Sequence, residues 1–241
     1  EPVTVGYDIY SPQGKLLEFN MQEVTIPGRS TDTVCFTPFI YGTNANRWEP
    51  GAKNPPLYKV MLFTRRDGAY REYMPLKIGF GKTELVDGRL MRFDKELKLA
   101  KAGYNAAADR KTTLAELKTL KAKGNNTICP DYPQPGWFYD LCDELGLYVI
   151  DCANINAPEK RDDRKVGGTP SNDPSLADEY LERVKAMYYR SRNHSCVIAF
   201  ALGGESGNGY NMYKAYEWLK SVEKSRPVIC ADADGEWNSD L

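Results

Sequence analysis

The spacing of apolar and polar residues changes once along the chain, near residue 82. Up to that point the two types alternate, as in the segment 3–9, and a period of two is typical of half-buried strands. Further strand patterns, separated by turn residues, lie at 17–21, 34–40, 57–63 and 69–80. Five short strands predict a β-sandwich that is incomplete, because an immunoglobulin-like sandwich has about seven.

After residue 82, short apolar strands alternate with amphipathic helices, which predicts a parallel sheet covered by helices. The predicted strands are 97–102, 127–129, 147–151, 197–202 and 228–230. Five strands indicate the first part of a (β/α)8 barrel, whose complete form has eight strands in about 250 residues. A complete doubly wound sheet is the alternative, although no Gly-x-Gly-x-x-Gly motif follows the first strand.

Three helix boundaries are also marked by residue type. A capping box at Thr113–Glu116 predicts a helix start. Gly146 predicts the end of a helix that begins at Trp137. Asp173, followed by a proline, predicts the N-cap of the next helix.

The charge balance excludes several classes of partner. The chain has 32 Lys and Arg against 33 Asp and Glu, a net charge of −1. We therefore expect neither nucleic-acid nor membrane-surface binding. No apolar run reaches the roughly 18 residues of a membrane span. The chain opens without a signal-peptide pattern, and its compartment, cytoplasm or periplasm, stays open.

The cysteines and the single histidine give little sign of cofactor chemistry. None of the six cysteines forms a CxxC pair, so we expect small buried thiols rather than a metal cluster or a disulfide framework. His194 ends a predicted helix, where we expect it to satisfy terminal carbonyls. Neither a cofactor nor a metal is predicted.

Polar residues follow the predicted parallel strands, where α/β barrels place their functional groups. Asn105, Asp131 and Glu205 occupy such positions, and Asp151 ends the third strand. Glu205 is the sharpest candidate, because flanking glycines let a ligand approach and a low-dielectric mouth would help the carboxyl to keep its proton as a general acid. The alternative is an exposed glutamate in a flexible turn. For Asp131 and Asp151, capping or pairing with a lysine is the alternative.

Several separated motifs resemble glycoside hydrolase family 2, especially its β-galactosidases. The segment 193–207, NHSCVIAFALGGESG, is similar to the family's acid/base strand, and 137–151 is similar to its third-strand region. Short motifs at 47–48, 56–58 and 78–80 resemble the end of the domain that precedes the family's barrel. The resemblance implies an incomplete immunoglobulin-like sandwich at 1–82, followed at 83–241 by the first five βα units of a TIM barrel.

The resemblance also implies a mechanism and a substrate. The family's enzymes are retaining, with two carboxylates about 5 Å apart. Glu205 would be the acid/base, and the nucleophile would lie on a later strand outside this chain, so the isolated chain is expected to be inactive. The implied partner is a β-galactoside-like carbohydrate, with Asn105, Asp131 and Gly204 among its contacts. An open barrel edge would also favour self-association.

The segments that match also depart from the family pattern. The family has Asn at the position of Gly204, a basic pair where Ala106 and Ala107 stand, and His in place of Asp131. Its metal ligands are replaced in the segment 151–158, DCANINAP, so no Mg²⁺ is expected there. Lost pocket groups leave a second interpretation, a non-catalytic carbohydrate-binding relative.

Overall fold

The computed structural model describes residues 2–50 and 54–241. They divide into two compact units, the first comprising residues 2–48 with Pro55–Phe80 and the second built mainly from Gly81–Leu241. The first unit contains antiparallel strands, whereas the second holds the parallel sheet and the helices. In the described ranges, no helix combines the length and the apolar character that crossing a membrane requires.

The first unit contains a four-stranded antiparallel sheet in the order β2-β1-β3-β4. Its strands are β1 (Pro2–Tyr10), β2 (Leu16–Thr25), β3 (Tyr58–Arg66) and β4 (Ala69–Ile78). Asp67 and Gly68 turn the chain between β3 and β4 with φ values of 52° and 74°, as a tight hairpin requires. Gly6 on β1 makes room for the buried Phe63, since a Cβ atom there would lie 2.4 Å from the ring.

The described residues of the first unit form a single sheet, so the expected immunoglobulin-like sandwich is not confirmed. The strand predicted at 34–40 is wrong, because that segment joins no ladder. Pro38 gives the physical reason: proline has no N–H to donate and is confined to sheet edges and bulges.

The second unit begins with a small antiparallel sheet that the sequence analysis missed. It contains β5 (Thr83–Val86), β6 (Arg89–Arg92) and β7 (Lys95–Glu96). The available signal was Asp87-Gly88, a typical hairpin dipeptide, and both residues have positive φ in the turn between β5 and β6.

A five-stranded parallel sheet forms the centre of the second unit. Its strands are β8 (Lys101–Gly103), β9 (Thr127–Cys129), β10 (Tyr148–Cys152), β11 (Val197–Ala201) and β12 (Val228–Ile229). The spatial order β12-β11-β10-β9-β8 follows the chain without reversal. A doubly wound sheet reverses its order at a switch point, so the alternative architecture is wrong and the order is that of consecutive barrel strands.

Four helices accompany the parallel sheet: α1 (Arg110–Ala122), α2 (Gly136–Leu145), α3 (Ala177–Ser191) and α4 (Tyr210–Val222). The end of α2 at Gly146, with φ 66°, is as predicted. The predicted capping box is wrong, because Asp109 caps α1 by accepting from Thr112 N, and Thr113 is buried one turn inside the helix. Asp173 caps a 3₁₀ turn (Pro174–Leu176) that leads into α3.

The core lies between the strands and the helices. Its fully buried side chains include Leu117, Ile128, Phe138, Val149, Met187, Ile198, Phe200 and Leu219. Four free cysteines are buried as predicted, Cys142, Cys152, Cys196 and Cys230, whereas Cys35 is exposed. The ring of His194 pairs with the buried Asp143, whereas its backbone N–H donates to the helix-terminal carbonyl of Ser191 at 2.9 Å.

Candidate active site

The C-terminal edge of the parallel sheet carries the polar residues expected there. Asn105 and Asp131 follow β8 and β9, Glu205 follows β11, and Asp232 follows β12. Asp151 instead lies inside β10 and is buried. The edge therefore presents polar groups after four of the five strands of the described sheet.

Asn105 and Asp131 hold each other in place. Asn105 Nδ2 donates to Asp131 Oδ2 at 2.7 Å, and Asp131 N donates to Asn105 Oδ1 at 2.9 Å. The buried Gln134, which sequence reasoning missed, also donates to Asn105 Oδ1 at 3.3 Å. Both expected substrate contacts are thus oriented by each other, and Asp131 pairs with an amide rather than a lysine.

Asp151 is a buried structural acid in the described residues. Its Oδ1 accepts the hydroxyl proton of Tyr139 at 2.7 Å and the N–H of Cys152 at 3.1 Å. Burial raises the pKa of Asp151, with hydrogen bonds from Ser191 and Tyr139 opposing the shift. Burial, together with the nearby Asp151 carboxylate, raises the pKa of Tyr139. Neither capping nor lysine pairing describes this residue.

The loop that carries Glu205 is anchored on both sides. Gly204 N donates to Ile155 O and Ala157 N donates to Glu205 O, each at 2.9 Å. Ser206 O accepts from Thr169 Oγ1 at 2.9 Å. The Glu205 side chain is 68% exposed, so the apolar surroundings expected from the sequence are wrong. Its backbone is hydrogen-bonded on both sides, and this distinguishes it from a glutamate in a flexible turn.

Arg161 joins Glu205 to Asp232. Its Nη1 lies 3.5 Å from Glu205 Oε1, and its Nη2 donates to Asp232 Oδ1 at 2.7 Å. Beside this pair lies an open cleft of 310 Å³ lined by two arginines and three aspartates, together with Gly207, Asn208 and Ala231. Arg164, the second arginine, is paired with Glu236. Both cations of the cleft are therefore engaged by carboxylates.

The segment that would supply the family's metal ligands does not fit a metal ion. Cys152 is a buried thiol, and burial raises its pKa to about 12, whereas a thiol must ionise to bind a metal. Asn156 and Pro158 offer no carboxylate or imidazole. Within residues 2–50 and 54–241, no three His, Cys, Asp or Glu side chains converge as a metal site would require.

The matching family model identifies the class to which this fold and site belong. Residues 101–240 match the model described as "Glycosyl hydrolases family 2, TIM barrel domain". The chain belongs to glycoside hydrolase family 2. Its relatives include a β-galactosidase of Pectobacterium atrosepticum, 32% identical over 77% of this chain, and one of Oenococcus oeni, 34% identical over 73%. The chain spans 18% of the length of each of these curated relatives.

Solved structures share the fold at low sequence identity. A putative β-galactosidase from Bacteroides fragilis superimposes with a TM-score of 0.76 at 17% identity, covering 95% of this chain and 34% of that one. A β-glucuronidase from Parabacteroides merdae gives a TM-score of 0.70 at 17% identity, covering 95% and 30%. The chain is thus similar in fold to a portion of larger glycosidases.

Proposed function

We propose that this chain is part of a retaining β-glycosidase in which Glu205 is the general acid/base. The observation that carries the proposal is the anchored loop after β11, which presents a carboxylate at the C-terminal edge of a parallel sheet. That edge is where barrel enzymes place catalytic groups. In this proposal residues 1–82 are an immunoglobulin-like domain, and residues 83–241 are five βα units of the catalytic barrel.

The proposed reaction has two proton transfers, both through Glu205. In the first, a nucleophilic carboxylate outside this chain attacks the anomeric carbon while Glu205 protonates the departing glycosidic oxygen. The bond between sugar and leaving group breaks as the bond between sugar and enzyme forms. In the second, Glu205 takes a proton from water, whose oxygen attacks the anomeric carbon and releases the nucleophile.

The substrate we propose is a β-linked neutral sugar of the β-galactoside type. Support comes from the β-galactosidase relatives at 32–34% identity. The cleft beside Glu205 adds a charge argument, because its aspartates outnumber its arginines and both arginines are already paired. An anionic sugar would meet repulsion there. Asn105, Asp131 and Gly204 are the proposed sugar contacts.

A second candidate is a non-catalytic carbohydrate-binding relative. One argument for it is the ion pair between Arg161 and the Glu205 carboxylate. Another is that Ala106, Ala107 and Gly204 replace polar pocket groups of the family. Loss of one transition-state hydrogen-bond donor typically lowers kcat about 10²- to 10³-fold. In this case the intact polypeptide would bind a β-galactoside without turning it over.

The deciding experiment compares the intact polypeptide with its Glu205→Gln variant on aryl β-galactosides. We expect kcat/KM to fall about 10²- to 10⁴-fold. Glu217→Gln is the matched control, since Glu217 is an exposed partner of Lys214 on α4, and it should keep the full rate. Equal rates for Glu205→Gln and the parent protein would reject Glu205 as the acid/base. Sugar binding by calorimetry without turnover would favour the second candidate.

Two further expectations concern the isolated 241-residue chain. It should hydrolyse no glycoside, because the proposed nucleophile lies elsewhere; measurable hydrolysis by the purified chain would contradict this. It should also self-associate, since β8 and β12 each pair with one strand and leave two open edges in the described sheet. Light scattering that gives the monomer mass across concentrations would count against this contact.

A further inference from the structure

Asp232 accepts two hydrogen bonds from the loop that carries Glu205 (residues 203–207, here called the acid/base loop) and one from Arg161. Its Oδ2 accepts from Ser206 N and from Gly207 N, each at 2.7 Å. Its Oδ1 accepts from Arg161 Nη2, also at 2.7 Å. The side chain is 10% exposed, so these contacts are largely shielded from water. One carboxylate thus fixes the two amides that directly follow Glu205.

Arg161 extends this anchor from the backbone of the loop to the side chain of Glu205. A guanidinium presents its donors in a rigid planar fork, and here one nitrogen serves Asp232 while another lies 3.5 Å from Glu205 Oε1. The Glu205 carboxylate therefore lies within ion-pair distance of a guanidinium that is itself hydrogen-bonded to Asp232.

The backbone of Arg161 is also fixed against the same loop. Gly207 has φ +69°, and a Cβ atom there would lie 2.5 Å from Arg161 O and 2.8 Å from Thr169 Oγ1. The loop and the Arg161 segment therefore approach each other more closely than a side chain at position 207 would allow. The backbone of Arg161 thus lies close to the loop, and its guanidinium is hydrogen-bonded to Asp232.

We propose that Asp232 and Arg161 are positioning residues for Glu205, a role that rests on the proposed function. Asp232 sets the backbone of the acid/base loop, and Arg161 transmits that position to the carboxylate. A general acid must lie within hydrogen-bond reach of the oxygen that it protonates, and a displacement of about 1 Å can cost about 10²-fold in rate.

The leaving group of the substrate separates this role from a purely structural one. A poor leaving group, such as an alkoxide, depends on protonation as the bond breaks, whereas a nitrophenolate departs with little help. Misplacement of Glu205 should therefore slow alkyl β-galactosides more than nitrophenyl β-galactosides. Partial unfolding would lower both rates equally, because it removes active molecules without changing those that remain.

The experiment measures kcat/KM of the intact polypeptide for an alkyl and a nitrophenyl β-galactoside. For Asp232→Asn and Arg161→Met we expect about a 10²-fold loss with the alkyl substrate and a clearly smaller loss with the nitrophenyl substrate. The matched controls are Asp178→Asn, an exposed residue on α3, and Arg110→Met, whose partner is Glu144. Both controls should retain the parent ratio of the two rates.

The conservative variant Arg161→Lys provides a second measurement. Lysine keeps the charge but lacks the planar fork, so we expect a leaving-group ratio between those of the parent and Arg161→Met.

Hydrogen exchange gives a readout that does not depend on turnover, because loss of the Asp232 carboxylate should speed exchange in a peptide that contains Ser206 and Gly207. Unchanged exchange in Asp232→Asn would overturn the proposed anchor.

The outcomes separate this inference from the proposed function. If Glu205→Gln turns over alkyl galactosides like the parent, the proposed function fails. If Glu205→Gln loses that turnover while Asp232→Asn and Arg161→Met match their controls, the positioning role alone is overturned. A leaving-group ratio that shifts in both Asp232→Asn and Arg161→Met supports it.

Discussion

Nδ1 of His194 lies 2.8 Å from Oδ2 of the buried Asp143 carboxylate. The other oxygen of Asp143 accepts from the backbone N–H of Cys196 at 2.7 Å. This carboxyl therefore joins α2 to the segment that enters β11, the strand that precedes the loop carrying Glu205. Burial raises the pKa of Asp143, and the contacts with His194 and Cys196 oppose that shift.

Replacement of Asp143 by alanine should destabilise the chain. It leaves the buried amide of Cys196 without its acceptor, and we expect the free energy of unfolding to fall by about 3 kcal/mol. Urea unfolding measures the change. Glu182→Ala removes an exposed acid paired with Lys185, and it should cost no more than about 0.5 kcal/mol. Equal losses in the two variants would contradict a special role for Asp143.

Replacement of Asp151 by asparagine should change how stability depends on pH. Burial raises the pKa of Asp151 above its ordinary value of 3.8, so the folded chain holds this proton more tightly than the unfolded chain. Stability from this group is therefore full below pH 3.8 and is lost as pH rises through the folded pKa. Asparagine can still accept from Tyr139 and carries no buried charge.

We therefore expect the stability difference between Asp151→Asn and the parent to shift in favour of the variant as pH rises from about 4 to about 8. Urea titrations at the two pH values measure the difference, and Asp178→Asn serves as an exposed control. A difference between variant and parent that does not change with pH, or that reverses in sign, would show that Asp151 stays ionised at little cost.

The cysteines should fall into separate reactivity groups. Burial raises the pKa of Cys152 to about 12 and of Cys230 to about 11, whereas Cys35 is exposed. We expect alkylation at neutral pH to label Cys35 rapidly and to spare Cys152 and Cys230 until the chain unfolds, because the thiolate is the reactive form. Mass spectrometry of labelled peptides measures this, and Cys35→Ser should remove the rapid phase. Rapid labelling of Cys152 in the folded chain would contradict its burial.

Asparagine at position 204, the residue that the family pattern carries, should fit the structure. A Cβ atom on Gly204 would lie 3.8 Å from Asn156, an ordinary contact, whereas on Gly203 it would lie 2.7 Å from Ile155 O. We expect Gly204→Asn to change the free energy of unfolding by no more than about 0.5 kcal/mol. Gly203→Asn, the matched control, should cost clearly more. Thermal unfolding compares the two, and equal losses would contradict the steric argument.

The elements of the second unit were largely predictable because their signals are local. The strand at 127–129 and the end of α2 at Gly146 follow from an apolar run and from a residue that tolerates positive φ. The start of α1 was misplaced because both Asp109 and Thr113 are plausible caps, and only the fold shows which one stands outside the helix. At 34–40 the apolar residues predict a strand, but Pro38 argues against one, and the structure has none there.

The candidate site was predictable only in part. Asn105, Asp131 and Glu205 could be placed after their strands, because a barrel brings strand ends to one edge. Arg161 gave no signal, because it lies in an irregular loop and its partners are 44 and 71 positions away in the chain. The exposure of Glu205 was also missed, since flanking glycines indicate access to the backbone but do not determine what surrounds a side chain.

The consecutive strand order has a consequence for how the chain acquires its structure during synthesis. Each of β9 to β12 pairs with the strand that left the ribosome just before it, so the sheet can lengthen by one unit at a time. Closing such neighbouring pairs requires loops of modest length, which carry a small entropic cost. Each newly emerged strand can therefore extend the scaffold beneath Glu205 without waiting for a distant segment of the chain.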